Sequence, residues 1–196
     1  MVPDGAPPDF FLGPDSVRDA GAWLESTRMA DGRPLISIAP GAAHATKRWP
    51  LSHWKALVRR LTGQGVHVII VGGPDDAQCA SELLAEGSGR IASAAGRFGL
   101  QGTGALLQRS AALVSGDTGV MHMATAVGTP VVALFGPTVK EFGFFPYTRN
   151  ATVLELDLSC RPCSSKGTAT CPLGHHRCLV GIEPDRVLTA LGERLT

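Results

Sequence analysis

Short apolar runs of strand length alternate with helical segments through most of this 196-residue chain. Apolar residues between two of these runs, such as Trp54, Leu57 and Leu61, recur at the spacing of one helix face. Regular alternation of this kind predicts an α/β fold, a Rossmann-like parallel sheet with helices on both faces. Ligands of such sheets bind beyond the carboxyl ends of the strands. The predicted strands are 35–39, 66–71, 91–94, 111–114, 131–135 and 152–156.

The composition fits one compact unit. A chain of 196 residues that is 44% hydrophobic can bury one sizeable core, and its formal net charge of +1 gives no support for a nucleic-acid partner. Residues 1–13 are rich in Pro, Gly and Asp and read as a linker. We therefore interpret 1–32 as a linker and lead-in helix, and 33–196 as the domain. No apolar run is long enough to span a membrane, and the N-terminus lacks the pattern of a signal peptide.

The loop after the strand at 111–114 is the most informative one. Residues 116–119 read Gly-Asp-Thr-Gly and lead into a helix predicted at 121–127. The unpaired N–H groups of a helix N-terminus attract a phosphate, and glycine lets the backbone approach it closely. The alternative is that Asp117 is only the N-cap of this helix.

A second loop follows the strand at 35–39 and contains two adjacent cations. Lys47 and Arg48 can neutralise a diphosphate, and the hydroxyl of Thr46 can donate to one of its oxygens. The alternative is a solvated charge pair next to a packed tryptophan. Both loops are predicted at the same edge of the sheet, so together they favour a site for a phosphorylated ligand.

Three other side chains near this edge each have two interpretations. Asp75, after the strand at 66–71, can accept from both hydroxyls of a ribose, or it caps the next helix, as its neighbour Asp76 also can. Phe98 lies on a loop before a helix and is a candidate adenine contact or a core residue. His122 falls in the first helical turn after the Gly-Asp-Thr-Gly loop, where it contacts a phosphate or sugar, or packs.

Taken in order, these loops resemble glycosyltransferase family 9, the lipopolysaccharide heptosyltransferases. The resemblance covers residues from about 33 to about 190, and as a set its motifs are highly specific. The matching segments are Pro40-Gly41-Ala42 with Lys47-Arg48-Trp49-Pro50, then Asp117-Thr118-Gly119 with His122 and Ala124, then the run from Gly128 to Thr138.

The resemblance implies one domain of a GT-B glycosyltransferase, its donor-binding half, with the first, acceptor-binding domain absent from this chain. It implies inverting transfer of heptose from ADP-heptose to a lipopolysaccharide inner-core acceptor. The enzyme would be cytoplasmic, with peripheral association at the inner face of the inner membrane. The general base is expected in the missing N-terminal domain, so the chain alone is expected to bind donor without efficient turnover. The donor-binding residues implied are Thr46, Lys47, Asp75, Phe98, Asp117, Thr118, Gly119 and His122.

No metal is expected to be required for transfer. The carboxylates of Asp75 and Asp76 are adjacent rather than spaced, and Glu155 and Asp157 fall in or next to a predicted strand. Cationic side chains and a helix N-terminus would then stabilise the departing diphosphate.

A cluster of cysteines near the C-terminus has three interpretations. It begins as Cys-x-x-Cys, which matches zinc-ligand spacing, so one interpretation is a structural zinc site. In an oxidising compartment the same residues could form two disulfides, and in a reducing one they are free thiols that pack a loop. Spacing does not separate the three. The cluster consists of Cys160, Cys163, Cys171 and Cys178, with His175 and His176 between them.

Two other functions fit the same loops. A nucleotide-sugar epimerase of similar architecture would also bind a nucleotide diphosphate there, and so would a non-catalytic nucleotide-binding module. A donor-to-acceptor transfer assay with the first domain supplied distinguishes these from a glycosyltransferase.

Overall fold

The structure, a computed structural model, describes residues 8–195, with side chains to residue 192. Residues 1–7 of the predicted linker lie outside the described residues. Six strands form one sheet in the order β3-β2-β1-β4-β5-β6, and every neighbouring pair is parallel. The predicted parallel α/β fold is therefore confirmed. The strands are β1 Leu35–Ala39, β2 His67–Ile70, β3 Ile91–Ser93, β4 Ala112–Gly116, β5 Val131–Leu134 and β6 Ala151–Leu154.

Helices cover both faces of the sheet because alternate strand residues point to opposite sides. Ile36 and Ile38 of β1 face one core with α2, α3 and α7, whereas Leu35 and Ala39 face the other with α1, α4 and α5. The strands are buried on both faces, which explains their nearly continuous apolar sequences. The helices are α1 Pro14–Ser26, α2 Leu51–Gly63, α3 Ala77–Leu84, α4 Leu100–Gln108, α5 Gly119–Ala126, α6 Arg177–Val180 and α7 Pro184–Leu195.

Helix α4 contains two glycines, Gly102 and Gly104. Glycine is a poor helix former, so its presence inside a helix needs a physical reason. Tertiary packing explains both residues: a Cβ on Gly102 would lie 2.6 Å from the Phe98 ring, and one on Gly104 would lie 3.0 Å from Phe10. The glycines admit close neighbours, and this packing outweighs their low helix propensity.

The predicted lead-in helix, α1, packs directly on the domain. Ala20, Trp23 and Leu24 are buried in the same core as α4 and α5. The boundary that we drew at residue 32 thus divides elements that share a core. Within residues 8–195, no helix combines the length and apolar character needed to cross a bilayer.

The strand order creates a reversal between β1 and β4. From β1 the chain runs outwards to β2 and β3. It then crosses back to β4, on the other side of β1, and continues outwards to β5 and β6. A crevice opens outside the carboxyl ends of strands at such a reversal, and ligands of this fold bind there. The loops after β1 and β4 are the two that carry the predicted phosphate-binding residues.

Candidate functional site

A cavity of about 280 Å³ lies at the carboxyl ends of β1, β2 and β4. Its walls include Gly41 and Ala42 after β1, Asp75 after β2, and Thr118 after β4, together with the exposed cation Arg48. Backbone-rich walls with one cation, Arg48, and two carboxylates, Asp75 and Asp76, suit a polar ligand better than an apolar one. The structure therefore brings two of the predicted donor residues, Asp75 and Thr118, to one cavity.

Lys47 and Asp117 form a buried ion pair beside this cavity. Their side chains are 10% and 6% exposed, and Lys47 Nζ lies 2.6 Å from Asp117 Oδ2. The Thr138 hydroxyl donates to the same carboxylate oxygen at 2.8 Å, and the Phe144 ring centroid is 5.2 Å from Nζ. Lys47 and Asp117 are thus brought together as predicted for one site, but each already has a partner.

The N-cap of α5 is Thr118 rather than Asp117, so the capping alternative for Asp117 does not hold. The Thr118 hydroxyl is 3.0 Å from Ser115 Oγ and makes no capping hydrogen bond to the helix. The N–H groups that begin at Gly119 are therefore not capped by this side chain, and the positive end of the helix dipole is available for an anion.

The two adjacent carboxylates of Asp75 and Asp76 both line the cavity but differ in their contacts. Asp76 accepts a hydrogen bond from Gly73 N at 2.9 Å, so it is the residue that caps the turn. A Cβ on Gly41 would lie 1.8 Å from Asp76 Oδ1, so Asp76 is also wedged against the loop after β1. Asp75 is exposed and lines the cavity, which leaves its carboxylate available to a ligand.

Thr46 is buried, and its hydroxyl is engaged within the protein. It donates to Thr168 O at 2.9 Å and accepts from Thr168 N at 2.8 Å. His176 Nε2 is 2.9 Å from Thr46 O. In this structure the hydroxyl therefore does not point a free donor at a ligand, and Thr46 contributes to the site by fixing the backbone before Lys47.

His122 is half-buried in the first turn of α5. Burial lowers the pKa of its imidazole, and Lys47 lowers it further, while Asp117 opposes both. The ring is therefore neutral near pH 7, with one N–H donor and one acceptor nitrogen.

Phe98 does not line the cavity that contains Asp75. Its ring packs edge-to-face on Trp23 of α1, with centroids 5.8 Å apart, and Arg97 lies over it. It also lines a separate cavity with Asp19 and Ser26. The structure thus shows a packing role for Phe98, and its contact with adenine stays a prediction.

The cysteines, all of which fall within the described residues, are free thiols, so the disulfide alternative does not hold in this structure. Among the side chains that the structure describes, those of residues 8–192, no three of His, Cys, Asp or Glu are arranged to hold a metal ion, so the zinc interpretation gains no geometric support. Burial raises the pKa of the Cys163 and Cys178 thiols. Backbone N–H groups, first that of His176, lower the pKa of Cys171.

Sequence reasoning missed Arg161. Its side chain is 7% exposed, and its guanidinium donates to the carbonyls of Gly136, Thr138 and Leu156 and to the carboxylate of Glu155. It thereby fixes the loop after β5, from which Thr138 reaches Asp117. Arg161 lies within a Cys-x-x-Cys segment, whose spacing indicates metal ligation rather than a structural cation. A cation that binds backbone carbonyl groups leaves no periodic pattern in the sequence.

Comparison with known proteins supports the resemblance to glycosyltransferase family 9. The sequence model of glycosyltransferase family 9 (heptosyltransferase) matches residues 15–173. Lipopolysaccharide heptosyltransferase 2 of Salmonella typhimurium is 33% identical over 173 residues, which cover 86% of this chain and 49% of that protein. The Escherichia coli protein of the same name is 32% identical over 172 residues, 85% of this chain and 48% of its own length.

Solved structures of glycosyltransferases also superpose on this chain. The E. coli ADP-heptose lps heptosyltransferase II superposes with a TM-score of 0.78 at 28% identity, covering 95% of this chain and 53% of that one. A family 9 glycosyl transferase from Veillonella parvula gives a TM-score of 0.82 at 25% identity, with the same two coverages. This chain spans about half the length of the curated relatives it matches.

Proposed function

This chain belongs to glycosyltransferase family 9, and we propose that it is the donor-binding half of a heptosyltransferase of lipopolysaccharide inner-core biosynthesis. The observation that carries the proposal is the cavity at the β1–β4 reversal, where Arg48, Asp75 and the uncapped start of α5 converge. The heptosyltransferase that it resembles in structure is named for ADP-heptose. We propose the same donor here, with inversion at the transferred carbon and a core sugar as acceptor.

In this proposal each residue binds a different part of the donor. The diphosphate lies against the N–H groups of Thr118 and Gly119 and is neutralised by Lys47 and Arg48. Asp75 accepts from the ribose hydroxyls. His122 donates to a phosphate or sugar oxygen. The backbone of Thr46 orients Lys47, and Phe98 contributes to the adenine end if its ring moves from Trp23.

The acceptor side of the reaction is not assigned to this chain. Deprotonating an acceptor hydroxyl needs a base on the far side of the sugar. We propose that another domain, which corresponds to the N-terminal half of the relatives, supplies this base and the acceptor contacts. The same proposal places the enzyme at the cytoplasmic face of the inner membrane, and cell fractionation tests that location.

Calorimetry followed by a transfer assay tests the function. We expect the 196-residue chain to bind ADP and ADP-heptose, to hydrolyse ADP-heptose only slowly, and to transfer heptose to a core acceptor only when the other domain is supplied. Transfer by the chain alone at about 1 per second, a typical enzyme rate, would place the base within these residues. Binding without transfer under any condition would favour the nucleotide-binding module, and interconversion of the sugar would favour the epimerase.

Donor binding should survive chelation of divalent ions. Asp76 also lines the cavity, but its Oδ2 already accepts a hydrogen bond from Gly73 N and its Oδ1 lies against Gly41, so the two carboxylates are not preorganised to bridge a metal to the diphosphate. Cations of the protein and the α5 terminus are expected to compensate the phosphate charge instead. We expect the same ADP affinity in calorimetry with EDTA and with Mg²⁺, and affinity that appears only with the ion would contradict this. Elemental analysis of the same sample tests the zinc interpretation of the cysteines.

Binding should also depend on His122 in a pH-dependent way. Burial lowers its pKa in the free protein, whereas a diphosphate beside the ring would raise it, so binding takes up a proton. The affinity for ADP then rises as the pH falls through the pKa of His122 in the complex. It levels off below the pKa of His122 in the free protein. Because ADP itself titrates, we compare wild type with His122→Gln from about pH 7.5 to pH 5. We expect their affinity ratio to grow up to about tenfold per pKa unit gained on binding, and a flat ratio would remove His122 from the site.

A further inference from the structure

The loop after β5, residues 135–150, contacts both partners of the buried Lys47–Asp117 ion pair. Near its start, the Thr138 hydroxyl donates at 2.8 Å to Asp117 Oδ2, the carboxylate oxygen that also pairs with Lys47 Nζ. Farther along, the ring of Phe144 lies against the ammonium, with 5.2 Å between Nζ and the ring centroid. One loop thus contacts the carboxylate through a hydrogen bond and the ammonium through an aromatic ring.

The course of this loop explains how Phe144 reaches the ion pair. A short 3₁₀ turn at Lys140–Phe142 ends at Gly143, whose φ of 77° lies in the left-handed region that glycine adopts at little cost. The two aromatic residues that follow pack against the core. The second of them, Phe145, contacts the buried ring of Phe135 with centroids 4.3 Å apart. Gly143 and Phe145 therefore fix the backbone on either side of Phe144.

An aromatic ring at this place attracts the ammonium as well as covering it. The face of the ring carries negative charge density, and a cation within about 6 Å of its centroid is drawn to it, more strongly where water is excluded. The Lys47 side chain is only 10% exposed and Phe144 is half-buried, so their contact lies largely out of water. An aliphatic side chain of similar volume would cover Nζ but would supply no such attraction.

We propose that Phe144 is a positioning residue of the donor site, whose ring holds the Lys47 ammonium by a cation–π contact in the orientation that receives the diphosphate. This inference rests on the proposed donor-binding function. The ammonium has three N–H donors; Asp117 engages Nζ from one side and the ring covers another. The remaining side can meet a phosphate oxygen without the side chain first turning into solvent. Phe144 acts through Lys47 and needs no contact of its own with the donor.

Graded fluorination of the Phe144 ring tests this contact, because fluorine withdraws charge from the ring face with little change in shape. We expect mono-, di- and trifluorophenylalanine at position 144 to weaken ADP binding stepwise in calorimetry, by about threefold to tenfold in total. Phe144→Leu should weaken binding by a similar factor. Phe144→Tyr keeps an aromatic face and should bind ADP like wild type. Fluorination of Phe145, whose ring packs on Phe135, is the matched control and should leave the affinity unchanged.

A background without charges shows whether the ring acts through the ammonium. Lys47→Met combined with Asp117→Asn removes both charges, so no carboxylate is left buried without its partner. Fluorination of Phe144 should lower the free energy of unfolding of the ligand-free wild type, and this effect should disappear in the neutral background. A role of Phe144 in packing alone would give the same effect of fluorination in both proteins.

The outcomes separate this inference from the function on which it rests. If the wild-type chain does not bind ADP, the proposed function fails and the inference falls with it. If wild type binds ADP and the affinity is the same across the fluorinated series at position 144, the inference fails and the function stands. A loss of affinity that fluorination of Phe145 reproduces, or a stability effect that persists in the neutral background, also overturns it.

Discussion

Replacing Lys47 by alanine is expected to weaken ADP binding by about 1.5–3 kcal/mol, the value of a charge-assisted hydrogen bond. The structure adds a second consequence. Lys47 neutralises Asp117, whose side chain is only 6% exposed, and the variant leaves that carboxylate buried with only the Thr138 hydroxyl. Removing one partner of a buried pair costs about 3–5 kcal/mol, so we also expect a lower free energy of unfolding.

Three further variants separate binding from stability. Lys47→Arg keeps the charge and should retain more affinity, while Asp117→Asn removes the partner and leaves the lysine free for phosphate. The double variant Lys47→Ala with Asp117→Asn completes a double-mutant cycle with the two single variants. The coupling energy from this cycle measures the interaction between Lys47 and Asp117. Lys140→Ala, at an exposed lysine, is the matched control and should change neither quantity. Unchanged ADP affinity in a folded Lys47→Ala protein would remove Lys47 from the site.

The Lys47–Asp117 ion pair also affects which groups are expected to contact the ligand first. In this structure Lys47 is compensated by Asp117 and covered on one side by Phe144, so a diphosphate does not meet Lys47 as a free cation. The uncapped N–H groups of α5 and the exposed Arg48 are the groups that already face the cavity. We therefore expect them to make the first contacts, with Lys47 shared between Asp117 and the phosphate in the complex.

The sheet and its binding edge were predictable because they depend on local patterns. Buried parallel strands are apolar throughout, and their alternation with amphipathic segments fixes the fold class and the edge where loops converge. Local propensity is a weaker guide where packing decides, as at Gly102 and Gly104, which admit close neighbours within α4 despite the low helix propensity of glycine.

The division of roles between adjacent residues was not predictable. Asp75 and Asp76 are chemically identical, and only the backbone path shows that Asp76 accepts from Gly73 N. Asp117 and Thr118 are both good N-cap residues, and the helix starts after the second of them. The contact between Thr46 and Thr168 joins positions 122 apart in the sequence, and no local periodicity can indicate it.

The largest stability effect outside the cavity is expected at Arg161. Its guanidinium is the shared donor for the carbonyls of Gly136, Thr138 and Leu156, and it pairs with Glu155 at 2.7 Å. An unsatisfied buried acceptor costs about 1–3 kcal/mol, so Arg161→Ala should lower the free energy of unfolding by about 2–5 kcal/mol. For a domain of this size the midpoint of thermal unfolding then falls by about 5–15 °C.

Arg161 should also affect binding, because the loop that it holds reaches the ion pair. The Arg161 side chain fixes the Thr138 carbonyl, and the Thr138 hydroxyl donates to Asp117. Arg161→Lys keeps the charge, but its three donors radiate from a single nitrogen and cannot reach the four acceptors that the planar guanidinium fork serves. We therefore expect the variant to fold and to bind ADP more weakly than wild type. Arg177→Ala, at an exposed arginine, should leave both stability and affinity unchanged. Wild-type ADP affinity in a folded Arg161→Lys protein would show that the loop supports the fold without positioning Asp117.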